Sequence, residues 1–108
     1  QFHIDPPEKA WTMIDLAAWL ETPSGGFSRH PFARLAWART SEDRVMFFYQ
    51  GESLSRPQDL VETIRLLAEN RRIECSRIAE VVSTAPAAAE LLLHLINEGV
   101  LEPVEDGL

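Results

Sequence analysis

Lysine is almost absent from this sequence. Lys9 is the single example, and nothing from Ile78 to Leu108 is a lysine or an arginine. Cysteine is equally scarce: Cys75 stands alone, which excludes an internal disulfide and agrees with a reducing compartment. No apolar run approaches the ~20 residues that a membrane helix needs. A charged start followed by an apolar run is also lacking, so the N-terminus does not read as a secretory signal. The chain opens on Gln1 rather than methionine and runs into an extended Pro6-Pro7 stretch. The expectation is a fragment boundary with further residues upstream. Repeats and low-complexity tracts are missing, apart from a local alanine bias at Ala85-Pro86-Ala87-Ala88-Ala89.

What is present has an ordinary globular composition. The 108 residues suffice for one domain with one modest core, and 45% are hydrophobic and 25% charged. A net charge of −7 disfavours non-specific binding to DNA or to anionic membranes.

Residues 1–11 read as an extended linker and residues 12–108 as the domain. Thr12 with Asp15 three positions on has the form of a capping box. The helix behind it runs to about Glu21, with Ile14, Leu16, Ala17, Trp19 and Leu20 as its apolar face. Thr22 to Pro31 reads as a Pro-, Gly- and Ser-rich loop. Phe32 to Arg39 and Arg44 to Gln50 read as two strands joined by a turn at Thr40-Ser41-Glu42-Asp43, so that 12–50 holds a helix and a hairpin. Val45 to Tyr49 is apolar on both sides of the pleat, the mark of a strand covered on both faces.

Gly51-Glu52 ends the hairpin, and residues 55–104 hold three helices and a final strand. Pro57 is placed in the first helical turn, followed by a stripe of Leu60, Val61, Ile64, Leu67 and Ala68. Arg72 to Cys75 is a candidate short strand. Ser76 is expected to cap a short helix to Val82, with a turn at Ser83-Thr84. The last helix runs from about Ala85 to Glu98, with Ala88, Leu91, Leu92, Leu95 and Ile96 at core spacing. Gly99 stops it, and Val100 to Val104 reads as a strand. The fold class is therefore α+β, a winged-helix-like domain with an N-terminal helix and a β-hairpin. The hairpin either takes the wing's place or joins the last strand.

The order of elements suggests nucleic acid, and the charge opposes it. Affinity for DNA comes largely from cations that neutralise phosphates. Here the reading segment carries Glu80, Glu90, Glu98, Glu102, Glu105 and Asp106 and no cation. A protein partner fits better.

No group of residues converges on a reaction. His3-Ile4-Asp5 matches the His-x-Asp of a facial-triad iron site, with His30 or His94 as third ligand, but the pair lies in the linker without a rigid scaffold. His94 reads as a helix-surface histidine with no nucleophile at a suitable spacing. Cys75 sits where a helix start can lower a thiol pKa, or it is a small buried hydrophobe. Gly25-Gly26 lacks the Lys-Ser/Thr of a phosphate loop. Arg29, Arg34, Arg39 and Arg44, with Arg65, Arg71, Arg72 and Arg77, are interleaved with Glu42, Asp43, Glu62, Glu69 and Glu74, which reads as a solvated, ion-paired face. Trp11, Trp19 and Trp37 read as core anchors. Trp37, Phe47 and Tyr49 share one pleat face and are the expected aromatic anchors of an interface. No catalytic, cofactor-binding or metal residue is assigned.

Three stretches resemble the C-terminal domain of the ribosomal oxygenases. They are Arg29-His-Pro-Phe-Ala-Arg34-Leu-Ala36-Trp37, then Phe48-Tyr-Gln-Gly51-Glu52, then Leu91-Leu92-Leu93-His-Leu95-Ile-Asn-Glu-Gly99-Val-Leu101. With the Pro6-Pro7 entry and the first helix, the resemblance spans about residues 4 to 104. It implies a winged helix at the end of a JmjC/cupin-type Fe(II) and 2-oxoglutarate oxygenase that hydroxylates ribosomal proteins. Iron and 2-oxoglutarate would then be held by an N-terminal cupin domain, and none of their ligands carries over to this chain.

The expected function is that of a non-catalytic accessory domain, supporting protein contacts or substrate positioning in the cytoplasm. The enzyme activity would be that of the parent. Its partner would be its own cupin domain, a second copy or a ribosomal protein, with no DNA and no membrane. The alternative is a stand-alone winged-helix regulator of transcription or a protein-interaction module.

Overall fold

The computed structural model describes residues 9–30, 33, 35–49 and 51–105. In chain order these form α1 (Met13–Leu20), β1 (Gly25–Arg29), β2 (Leu35–Arg39), β3 (Arg44–Tyr49) and β4 (Glu52–Pro57). A single 3-10 turn (Gln58–Leu60) leads into α2 (Val61–Glu69), β5 (Arg72–Glu74), α3 (Cys75–Thr84), α4 (Ala87–Asn97) and β6 (Leu101–Glu105). The strands make two antiparallel three-stranded sheets, ordered β5-β1-β6 and β2-β3-β4. The succession α2-β5-α3-α4-β6 is a winged helix, so the α+β expectation holds.

Local chemistry explains most boundaries. Asp15 N–H donates to the Thr12 hydroxyl, and the Asp15 carboxylate accepts from Thr12 N–H at 2.8 Å, which completes the capping box of α1. These bonds hold the Asp15 carboxyl below its ordinary range, Thr12 N–H contributing most. Only Leu16 of α1 is buried; Ile14 is 81% exposed. Ile14 and Ala17, expected on the apolar face of the helix, thus lie outside the core. At the end of α4, Val100 N–H bonds Leu95 C=O and Gly99 N–H bonds Ile96 C=O. Gly99 has φ +81°. The pattern is a Schellman stop, and its left-handed residue favours glycine.

Four expectations need correction. First, the Gly-rich stretch read as a loop contains β1, the central strand of its sheet. A Cβ on Gly26 would come within 2.7 Å of the Ile73 carbonyl oxygen on β5. Glycine here allows close backbone approach, and its low strand propensity hid the strand. Second, the hairpin does not join the last strand. β6 pairs with β1, and the hairpin gains a third strand, β4, beyond the turn at Gly51. The polar run Glu52-Ser-Leu-Ser-Arg gave β4 little apolar signal. Third, Pro57 ends β4 and precedes the 3-10 turn instead of opening the helix. Fourth, α3 starts at Cys75, receives no side-chain cap, and continues through Ser83-Thr84. The expected Ser76 cap and Ser83-Thr84 turn are absent.

The core joins both sheets to the helices through Phe27, Phe47, Leu60, Ile64, Leu67, Ile78, Leu92 and Leu95, among others. Every core position expected on the last helix is buried: Ala88, Leu91, Leu92, Leu95 and Ile96.

Candidate interaction surface

In a helix-turn-helix, the second helix offers its outer face to the groove of a nucleic acid. Here that helix is α4, and two of its side chains already have partners elsewhere in the chain. The Tyr49 hydroxyl, rising from β3, shares a hydrogen bond of 2.6 Å with His94 Nε2. The two rings meet edge to face at 5.9 Å. Nearer the C-terminus, Asn97 clasps the main chain of Trp11. Trp11 N–H donates to Asn97 Oδ1 at 2.7 Å, and Asn97 Nδ2 donates to Trp11 C=O at 3.1 Å. Trp11 also stacks edge to face on Trp19, whose indole N–H donates to Gly26 C=O. The last residue of the expected linker is therefore docked, while residues 1–8 lie outside the described residues.

The charges left around this face are acidic. Glu90 and Glu98 are exposed on α4, and Glu102 and Glu105 on β6. Burial pushes the Tyr49 phenol above its usual pKa. Glu98 and Glu52 push the same way, and Arg56 opposes them. A phosphate backbone would meet the same repulsion.

The remaining candidates take structural places. Cys75 is 2% exposed, and its thiol donates to Trp19 C=O at 3.3 Å. Burial raises its pKa against the pull of Arg72, so of the two readings the buried hydrophobe holds. His94 is the exposed helix histidine expected, with Tyr49 as a partner that sequence spacing did not reveal. His3 and Asp5 lie outside the described residues. His30 donates its backbone N–H to Val100 C=O. Among the described residues, no three His, Cys, Asp or Glu side chains gather as metal ligands.

The arginines divide. Arg65 forms exposed ion pairs with Glu62 at 3.3 Å and Glu69 at 3.6 Å, as expected of a solvated face. Arg29 does something unforeseen. Its guanidinium donates to the Leu67 and Ala68 carbonyls and so caps the C-terminus of α2, where no glycine stands. Desolvation, followed by the nearby Arg71, lowers its pKa. Between α2 and α3 lies an open groove of about 420 Å³ with Leu66 and Val81 among charged side chains.

The hairpin sheet has two unlike faces. Pairing Trp37 with Phe47 and Leu35 with Tyr49 puts Trp37, Phe47 and Tyr49 on one side, as expected. That side faces inward. Phe47 is 0% and Tyr49 3% exposed, and half-buried Trp37 packs against the same core. Phe47 and Tyr49 are thus enclosed by this chain itself, and Trp37 keeps part of its surface. The outward face carries Ala36 and Ala38 of β2, Met46 and Phe48 of β3, and Ser53 and Ser55 of β4. Phe48 is 42% exposed between Ala36 and Ser53. Arg44 crosses to the Ser55 hydroxyl at 3.0 Å.

These features define a winged-helix domain whose second helix is held by its own hairpin and N-terminal segment. The family described as ROXA-like winged helix matches residues 3–102, and the chain belongs to that family. Among solved structures it is similar to the Escherichia coli ribosomal oxygenase YcfD. In one crystal structure the TM-score is 0.71 at 19% identity, covering 96% of this chain and 26% of that one. A second structure of E. coli YcfD gives 0.69 at 21% identity, and a third gives 0.69 at 20%. At this identity the likeness concerns the fold. This chain covers 26% or 27% of the length of those chains. No curated protein matches it. Among the described residues, no helix is long and apolar enough to cross a membrane.

Proposed function

We propose that this chain is the non-catalytic C-terminal accessory domain of a cupin, JmjC-type ribosomal-protein hydroxylase that uses Fe(II) and 2-oxoglutarate in the cytoplasm. On this reading the cofactors sit in the preceding cupin domain, and the winged helix makes protein contacts or positions the ribosomal-protein substrate. One observation carries the non-nucleic-acid role: the exposed side of α4 and the strand after it carry Glu90, Glu98, Glu102 and Glu105 and no lysine or arginine. Membership of the ROXA-like winged helix family supports the parent enzyme.

The test compares the parent polypeptide, the same polypeptide lacking residues 9–105, and the 108-residue chain. Each is incubated with ribosomal proteins, Fe(II) and 2-oxoglutarate, and hydroxylation is read by mass spectrometry. The full polypeptide should hydroxylate, the deletion should lose at least tenfold in kcat/KM, and the isolated chain should consume no 2-oxoglutarate. Full activity without the domain would overturn the accessory role. No hydroxylation by the full polypeptide would overturn the assignment to this enzyme class.

A further inference from the structure

An antiparallel sheet with one face in the core normally shows a polar face to water. The outward face of β2-β3-β4 departs from this. Among the described residues it presents Ala36, Ala38, Met46, Phe48, Ser53 and Ser55, and the one cation among them, Arg44, is turned onto Ser55. In a chain that is 25% charged, a sheet face without a carboxylate among these residues is poor in charge. Phe48 stands on it between small neighbours, the form of an anchor side chain entering a pocket.

Area decides between occupants. Strands about 4.8 Å apart and about 3.3 Å per residue give a three-stranded, six-residue face of about 300 Å². A stable complex of separate molecules buries about 800 Å² on each partner. The face is thus too small to hold a second copy by itself. It matches the lower end of contacts between domains of one polypeptide, about 600 Å² in total, where tethering supplies a millimolar effective concentration.

We infer that the outward hairpin face, centred on Phe48 and Met46, packs against an uncharged apolar surface presented by another domain of the same polypeptide. The inference rests on the accessory-domain reading above and names the surface through which that domain acts. It fits the 26% share of the E. coli ribosomal oxygenase chain that this chain covers.

Hydroxyl-radical footprinting reads the side chains directly. Labelling of Phe48 and Met46 is measured in the 108-residue chain and in the parent polypeptide, each at two concentrations a hundredfold apart. The expected result is at least fivefold less labelling of both residues in the parent at both concentrations, with exposed Ile14 as an internal reference. Phe48→Asp should lower the melting temperature of the parent and leave that of the 108-residue chain unchanged. Equal labelling in the two proteins would overturn the inference. Protection that vanishes on dilution would overturn it in favour of a second copy. Hydroxylation is scored separately, so an inactive parent that still protects Phe48 contradicts the enzyme assignment and leaves the contact standing.

Discussion

Tyr49 and His94 stand 45 positions apart in the chain, and their side chains meet at 2.6 Å. Periodicity could place Tyr49 on a strand and His94 on a helix, but pairing them requires the packing of the hairpin against α4. The same holds for Trp11 and Asn97, separated by 86 positions. These contacts were illegible because local pattern carries no information about distant partners. Residues whose role is local were read well: Thr12 with Asp15, and Gly99. Removing the Tyr49 hydroxyl by Tyr49→Phe should cost about 1 kcal/mol in urea denaturation, the ordinary worth of one hydrogen bond. Its pH dependence is more diagnostic. The phenol is raised in the folded state, by burial first and then by Glu98 and Glu52. Its stabilising contribution is complete below the unfolded value near 10 and is lost as pH rises through the folded value. Wild-type stability should therefore fall more steeply above about pH 10 than that of Tyr49→Phe. Parallel alkaline slopes would show that the phenol is not held in its neutral form.

At the scale of elements, α4 and β3 were legible because apolar spacing and strand-forming residues agree there with the final packing. The strand β1 was not, because Gly25-Gly26 has turn chemistry and only its pairing with β5 and β6 makes it a strand. Tertiary contact overrode propensity. That account is testable at Gly26. An added methyl would lie 2.7 Å from the Ile73 carbonyl oxygen, which is backbone and must move for it. Gly26→Ala should destabilise the domain by about 1–3 kcal/mol, the cost of overpacking. For a domain of this size that is a fall of about 4–8 °C in Tm per kcal/mol. An unchanged melt would show that the β1–β5 approach is looser than described. The hairpin was half legible: register put Trp37, Phe47 and Tyr49 on one face, but which face met the core depended on α2 and the 3-10 turn beneath it.

Over the whole molecule, the winged-helix order and the charge distribution point in opposite directions, and the structure explains how both can stand. The helix that would read DNA is built and buried on its core side, while its exposed side carries Glu90, His94 and Glu98, with Tyr49 bonded to His94 and Trp11 to Asn97. The cations lie elsewhere, and several are spent within the fold: Arg29 caps α2, Arg65 pairs on it, and Arg44 lies across β4. The proposed accessory role requires a winged helix that does not bind nucleic acid. Its most direct test is a titration of the 108-residue chain into labelled duplex DNA at low salt, where phosphate contacts are strongest. The account predicts no saturable binding. Submicromolar binding that weakens steeply with added salt would contradict it.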